Sequence, residues 1–285
     1  MLELHCHTTH SDGTLTPQAL VDHAIAAGVT VLAITDHDTV SGWDEAIAAV
    51  GDRSLEIVPG LELSTIHNGR SMHILGFYPD RQQLEPPLRD RLLERHHRAA
   101  KMIAKLAELG FAIELPPTAD NTAPGRPHIA AAMVSAGYAQ SIQEVFDRWL
   151  GEYKPAYVEY DSFSATEGIQ LLRRCGAVPV WAHPYLFRGG PVESVLPELV
   201  NAGLMGVEVY HPSHSASQSR ILEELCEQYG LLKTGGSDYH GPAPVGNGSN
   251  ATTLNQLKLT DRLLIPLKRA AAELRSPAKV HPARA

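Results

Sequence analysis

Val29-Thr30-Val31-Leu32-Ala33-Ile34-Thr35-Asp36-His37-Asp38 is an apolar, β-branched run that ends abruptly in carboxylates and an imidazole. Val29 to Ile34 reads as a strand buried on both faces, as in parallel sheets. A helix precedes it. Thr16 is its N-cap, Pro17 takes the first helical position, and Leu20, Val21, Ala24 and Ile25 form its apolar face before a stop near Gly28. Leu2 to His5 reads as an earlier short strand. A second helix is expected around Asp44 to Val50, and Glu56 to Val58 begins another strand. This strand–helix rhythm argues for a parallel sheet or an α/β barrel.

The rhythm changes after residue 60. Leu61 to His67 and Arg70 to Phe77 flank Asn68-Gly69, a favoured two-residue hairpin turn. A type I′ turn pairs Ser64 with His73 and makes Glu62 a diagonal neighbour of His73 on the same face. Pro86-Pro87 is expected to precede a long helix, roughly Leu88 to Leu109. Further prolines follow (Pro116-Pro117, Pro124, Pro127), then helices from Pro127 toward Gly137 and from about Ser141 to Leu150. Alternation resumes near Ala165. Val178 to Trp181 ends in Ala182-His183-Pro184, Gly206 to Val209 in Tyr210-His211-Pro212, and Leu231 to Gly236 leads to Ser237-Asp238-Tyr239-His240-Gly241. The expected organisation is a barrel in two parts (1–85 and 158–275), a helical insertion domain (86–157) and a frayed tail (276–285).

Composition narrows the function. With 285 residues, 44% hydrophobic and 20% charged, the chain is ordinary for a soluble globular enzyme. No run approaches the ~20 apolar residues of a membrane span, and no secretory signal is visible, so no membrane partner and a cytoplasmic location are expected. The net charge of −8 argues against duplex nucleic acid as a partner. Three cysteines (Cys6, Cys175 and Cys226) show no C-x-x-C spacing, so neither a disulfide framework nor a cysteine zinc site is suggested. The 15 histidines are the anomaly.

His5-Cys6-His7 places two imidazoles at i and i+2, on one face of a strand, with Cys6 on the other. The remaining strand ends add Asp12, His37, Glu62, His73, His183, Asp238 and His240. Functional residues of α/β barrels gather at the C-terminal ends of the strands. This set exceeds the four ligands of one zinc ion and suits two or three ions. Such centres serve phosphoryl-ester hydrolysis by activating water and neutralising phosphate.

Taken in order, His5-x-His7-Thr8, Ser11-Asp12-Gly13, Thr35-Asp36-His37-Asp38, Glu62, His73, Ala182-His183-Pro184 and Gly235-Gly236-Ser237-Asp238-Tyr239-His240-Gly241 resemble the PHP (polymerase and histidinol phosphatase) superfamily. The resemblance implies a distorted (β/α)7 barrel and three divalent ions. His5, His7, Glu62 and Asp238 would hold one ion, Glu62, His73 and His183 a second, and Asp12, His37 and His240 a third. Asp12 stands where many superfamily members have histidine, which makes the third site richer in oxygen and favours Mn²⁺, with Fe or Zn as alternatives.

Ser11-Asp12-Gly13, Gly125-Arg126-Pro127-His128-Ile129 and Val209-Tyr210-His211-Pro212 resemble a narrower group, the 3′,5′-nucleoside bisphosphate phosphatases and RNase AM-type 5′→3′ exoribonucleases. Arg126 offers a fork of donors at a helix start, where an anion is favoured, and is read as a phosphate clamp. His128 would join it in substrate binding. His211 would donate a proton to the leaving group, contact substrate or stand behind the ligands. The expected activity is phosphomonoester hydrolysis of a small nucleotide (pAp to AMP plus phosphate). The alternatives are exonucleolytic cleavage of short single-stranded RNA bearing a 5′-monophosphate, and a non-catalytic metal-binding module. Histidinol phosphate is a further candidate substrate, which Arg126 fits poorly. Few aromatics (5 Phe, 3 Trp, 9 Tyr) are available to stack bases, which favours the small substrate.

Overall fold

The structure is a computed structural model and describes residues 1–115, 123–159, 163–242 and 252–275. Pro116-Pro117 and the expected tail from Ser276 lie outside the described residues. The first half contains β1 (Leu2–Glu3), α1 (Pro17–Ala26), β2 (Val31–Ile34), α2 (Trp43–Val50), β3 (Glu56–His67) and β4 (Arg70–Phe77). Then come α3 (Arg81–Glu108), α4 (Arg126–Ser135) and α5 (Ile142–Val145), which continues as a π-helical turn over Phe146–Leu150. The second half contains α6 (Ala165–Arg174), β5 (Val178–Trp181), α7 (Val192–Ala202), β6 (Gly206–Tyr210), α8 (Ala216–Tyr229), β7 (Leu232–Gly235) and α9 (Leu264–Arg275).

The seven strands form one sheet in sequence order, a nearly closed (β/α)7 barrel. All neighbours run parallel except β3–β4 and β4–β5, because the hairpin reverses β4. The hairpin register pairs Ser64 with His73, as the Asn68-Gly69 turn predicts. β1 is shorter than expected. Beyond Glu3 the Thr35 hydroxyl accepts from the Cys6 N–H (2.9 Å), in place of a backbone partner. The chain then bridges to the far end of the sheet. His7 donates its N–H to the Tyr239 carbonyl at 2.9 Å, and Cys6 pairs in parallel with Tyr239. Gly236 permits this closure, since a Cβ there would sit 2.5 Å from the His5 backbone nitrogen.

Strand side chains divide with period two. Val31 and Ala33 pack in a cluster with Leu264 and Leu267 of α9. Leu32 and Ile34 join Leu20, Val21 and Ala24 of α1 in another. Helices α3 and α4 build a third apolar cluster, in which Met102 and Leu106 meet Ile129 and Met133, along with Val145 and Trp149.

Two elements differ from expectation. β3 is continuous through Pro59-Gly60 because it changes neighbour there: Glu56–Pro59 pair with β2, and Gly60–His67 pair with β4. Helix α3 begins at Arg81, so Pro86 and Pro87 lie inside it. Interior prolines remove backbone donors and are costly. Tertiary anchoring offsets the cost. Asp80 caps the helix by accepting from the N–H groups of Gln82 and Gln83, Leu84 is fully buried, and Arg81 pairs with Asp44 and Glu85.

Candidate metal centre

The residues between β2 and α2 keep pairing with β3 after β2 ends. Asp38 donates its N–H to the Glu62 carbonyl (3.0 Å), and His37 bridges to Glu62. This places a carboxylate from the middle of β3 at the centre of the strand ends. Glu62 is 1% exposed. Its Oε1 lies 2.9 Å from both His73 Nδ1 and His183 Nε2. Its Oε2 lies 3.2 Å from His7 Nε2 and His37 Nδ1, and 3.3 Å from His5 Nε2. Asp238 Oδ1 faces the same pair, at 3.1 Å from His7 Nε2 and 3.3 Å from His5 Nε2. Asp12 lies further out, 3.2 Å from His240 Nε2 and 3.7 Å from His37 Nε2.

Among the described residues, three groups of potential ligands result, each with its donor atoms within 4.8 Å of one another: His5, His7, Glu62 and Asp238; His7, Asp12, His37 and His240; and His37, Glu62 and His73. His183 joins the last group through its contact with Glu62. Among the described residues, His5 Nε2, His7 Nε2, Asp12 Oδ1, His37 Nδ1, His73 Nδ1 and Asp238 Oδ1 are buried with no hydrogen-bond partner. Buried polar atoms are ordinarily satisfied. Imidazole nitrogens and carboxylate oxygens left unsatisfied around common points fit divalent cations.

The electrostatics agree. Burial raises the Glu62 carboxyl, but the charges of His73, His37 and His5 outweigh it and hold it well below its usual range. Asp12 and Asp238 are likewise held down against burial by surrounding imidazoles. Burial lowers His7, yet the close carboxylates of Asp238, Glu62 and Asp12 raise it to about 10. His37 falls to about 3 because burial outweighs Glu62 and Asp12. The ionised carboxylates thus demand positive charge, which protons on imidazoles or bound cations can supply.

Residues behind the cluster aim it. Glu208 was not singled out in the sequence, although it is the one charged residue in the strand Gly206–Tyr210. It is fully buried. Its Oε1 lies 3.0 Å from His5 Nδ1, and its Oε2 accepts from the His183 N–H at 2.8 Å. Asp36 accepts from the Thr8 N–H and hydroxyl (both 2.7 Å) and from the Ser11 hydroxyl (2.6 Å). Ser11 Oγ in turn accepts from His7 Nδ1 at 3.3 Å, which leaves His7 Nε2 turned to the cluster. Asp38 accepts from the Ser64 N–H (2.8 Å) and pairs with Arg95 and Arg91 of α3. Burial raises the Asp38 carboxyl, but the two guanidiniums bring it down to about 2. Asp38, His183 and Asp238 all have left-handed backbones (φ 53°, 31° and 53°), a strain that collects at functional sites.

A cavity of about 340 Å³ opens onto His37, Glu62, His73, His183, Asp238 and His240. Arg126, Glu152 and Arg188 line its wall. Arg126 is the first residue of α4, and its guanidinium donates to the Leu150 carbonyl at 3.4 Å. His128 is not among the lining residues. Its Nδ1 accepts from the Gly125 N–H at 3.0 Å and caps α4. His211 Nδ1 accepts from the Ser213 N–H (3.1 Å), so the neutral ring carries its proton on Nε2, 3.7 Å from Asp238 Oδ2. Cys6 is buried in the apolar cluster around α1.

The PHP domain family model matches residues 3–162. This chain belongs to the PHP domain family. A 5′-3′ exoribonuclease of Haemophilus influenzae is 32% identical over 251 residues, covering 84% of this chain and 90% of the relative. A 3′,5′-nucleoside bisphosphate phosphatase of Chromobacterium violaceum is 32% identical over 253 residues, covering 86% and 89%. A structure described as a metal-dependent phosphoesterase from Bifidobacterium adolescentis superposes with a TM-score of 0.77 at 30% identity, over 93% of this PHP chain and 95% of the other. An amidohydrolase from C. violaceum with bound sulfate and no metal gives 0.80 at 28% identity, over 94% and 96%. This PHP protein is accordingly a hydrolase of the metal-dependent phosphoesterase class. No helix among its described residues is long and apolar enough to cross a membrane.

Proposed function

We propose that this PHP protein removes the 3′-phosphate of nucleoside 3′,5′-bisphosphates, converting pAp to AMP and phosphate. The observation that supports this most is the single cavity lined both by the histidine–carboxylate cluster and by Arg126. Three divalent ions fit the donor groups. One takes His5, His7, Glu62 and Asp238, the second Glu62, His73 and His183, and the third Asp12, His37 and His240. Mn²⁺ is preferred because Asp12 adds oxygen to the third set. Bound there, such ions supply Lewis acidity to the phosphoryl group and acidify the attacking water.

The chain's own residues do the rest. Arg126 donates to phosphoryl oxygens as charge builds on them. His211 holds a proton on Nε2, beside Asp238, for the departing ribose oxygen. Glu208 and the Ser11–Asp36 pair hold the imidazoles of His5 and His7 with Nε2 turned to the cluster.

A second reading, 5′→3′ exoribonuclease, is favoured by a specific observation. The relatives from H. influenzae and Escherichia coli bear that name at the same 32% identity as the phosphatase. The two activities differ in which ester lies over the cluster. With Mn²⁺ present, phosphate release from pAp, AMP and histidinol phosphate is compared with nucleotide release from 5′-phosphorylated RNA. The highest kcat/KM is expected for pAp. Faster release from RNA would replace the first reading by the second, and no turnover of any substrate would reject both.

A further inference from the structure

Arg91, Arg95 and Arg98 of α3 recur at helical spacing on one face, and all are buried. Arginine is seldom buried unless paired. The outer two fasten the helix at separate points. Arg91 donates to the Ser64 carbonyl, and Arg98 donates to the Val158 carbonyl at 2.8 Å. Arg95, between them, differs because its two terminal nitrogens face different parts of the molecule. Nη1 donates to Asp38 Oδ2 (2.5 Å) and to the Ser64 hydroxyl (3.1 Å). Nη2 lies against the N-cap of α4, 3.5 Å from where a Cβ on Gly125 would stand.

Each side leads to the site within one residue. On the barrel side, Asp38 follows His37. Its N–H donates to the Glu62 carbonyl at 3.0 Å, and its Oδ1 accepts from the Ser64 N–H at 2.8 Å. Asp38 thus rivets the turn that carries His37 to the stretch of β3 that carries Glu62. On the insertion side, Gly125 precedes Arg126, the first residue of α4 and part of the cavity wall. The charge of Arg95 reaches the same turn: His128, lowered chiefly by burial, is lowered further by Arg95.

We propose that Arg95 is a positioning residue shared by the metal centre and the wall. One arm holds His37 and Glu62 through Asp38, and the other holds Arg126 through the start of α4. A guanidinium is planar, so fixing Nη1 on Asp38 and Ser64 also fixes where Nη2 points. A lysine can supply the charge beside Asp38 but has no second arm. The second arm rests on the phosphoesterase reading of the cavity, and the first does not.

The test uses the full chain with Mn²⁺ and two readouts. A competition titration with a chelating dye reads metal affinity without turnover, and initial rates on pAp read KM. R95M removes both arms, so metal affinity is expected to fall about tenfold and KM to rise about tenfold. R95K restores metal affinity to within about twofold of wild type while KM stays raised. Because that rise passes through Arg126, the double variant R95K/R126A has the KM of R126A alone. Equal losses of metal affinity in R95K and R95M, or KM effects of R95K and R126A that multiply, would overturn the assignment, since a merely loosened insertion does both. If R95M does not fold, R95K and the double variant decide. If RNA is turned over in place of pAp, the same cycle is read on RNA. If nothing is turned over, the second arm falls with the proposed function, and recovery of metal affinity from R95M to R95K decides the first.

Discussion

The floor and the wall of the cavity are built by different physics. On the floor, Glu62, His5 and His7 are almost fully buried, and each imidazole is aimed by a second buried side chain such as Glu208 or Ser11. On the wall, Arg126 and Arg188 come from a helix start and the segment after β5, and both are open to solvent to some degree. A buried ligand set has no tolerance for the loss of one charge, because its neighbours are then left uncompensated. A wall residue answers only to the substrate. The floor should therefore govern whether there is activity, and the wall which molecule is processed.

The largest expected effect is on the floor. D238A should lose bound metal and cut turnover by about a thousandfold or more, read by elemental analysis and phosphate release. Full activity with metal retained would remove Asp238 from the floor altogether. E208Q comes next. It keeps the side chain's shape and weakens the hold on His5, so metal affinity should fall about tenfold to a hundredfold in a competition titration with a chelating dye. R126A crosses to the wall. KM for the nucleotide should rise about tenfold while metal content stays at the wild-type value; metal loss in this variant would merge the two regions. S11A is the mildest, because Asp36 keeps its two bonds from Thr8. A loss of metal affinity of about threefold is expected by the same titration.

The floor was more legible in the sequence than its supports. His5, His7, Asp12, His37, His183, Asp238 and His240 stand out because a polar group ending an apolar run has a local signature. The Asn68-Gly69 turn set the register that brings Glu62 and His73 together. Glu208 was readable only as a charge misplaced in an apolar strand, and its partners His5 and His183 lie far from it in sequence. Arg91 and Arg95 carry no local signature of their role, and their burial against Asp38 follows from tertiary packing alone. The start of α3 was misread for the same reason. Local rules stop a helix at Pro86-Pro87, while Leu84 and the Asp80 cap carry it through. His128 shows the reverse. A residue placed by motif with the substrate contacts has its Nδ1 engaged in capping α4.

The bridge from Cys6 to Tyr239 has a consequence in time. Long-range pairings are the slow part of folding, since the loop must close before the contact rewards it. His5 and His7 are synthesised well before Asp238, which follows the last strand of the sheet. Until β7 docks beside β1, the first histidines lack the second carboxylate of their group, so the complete donor set belongs to the finished barrel and not to the nascent chain.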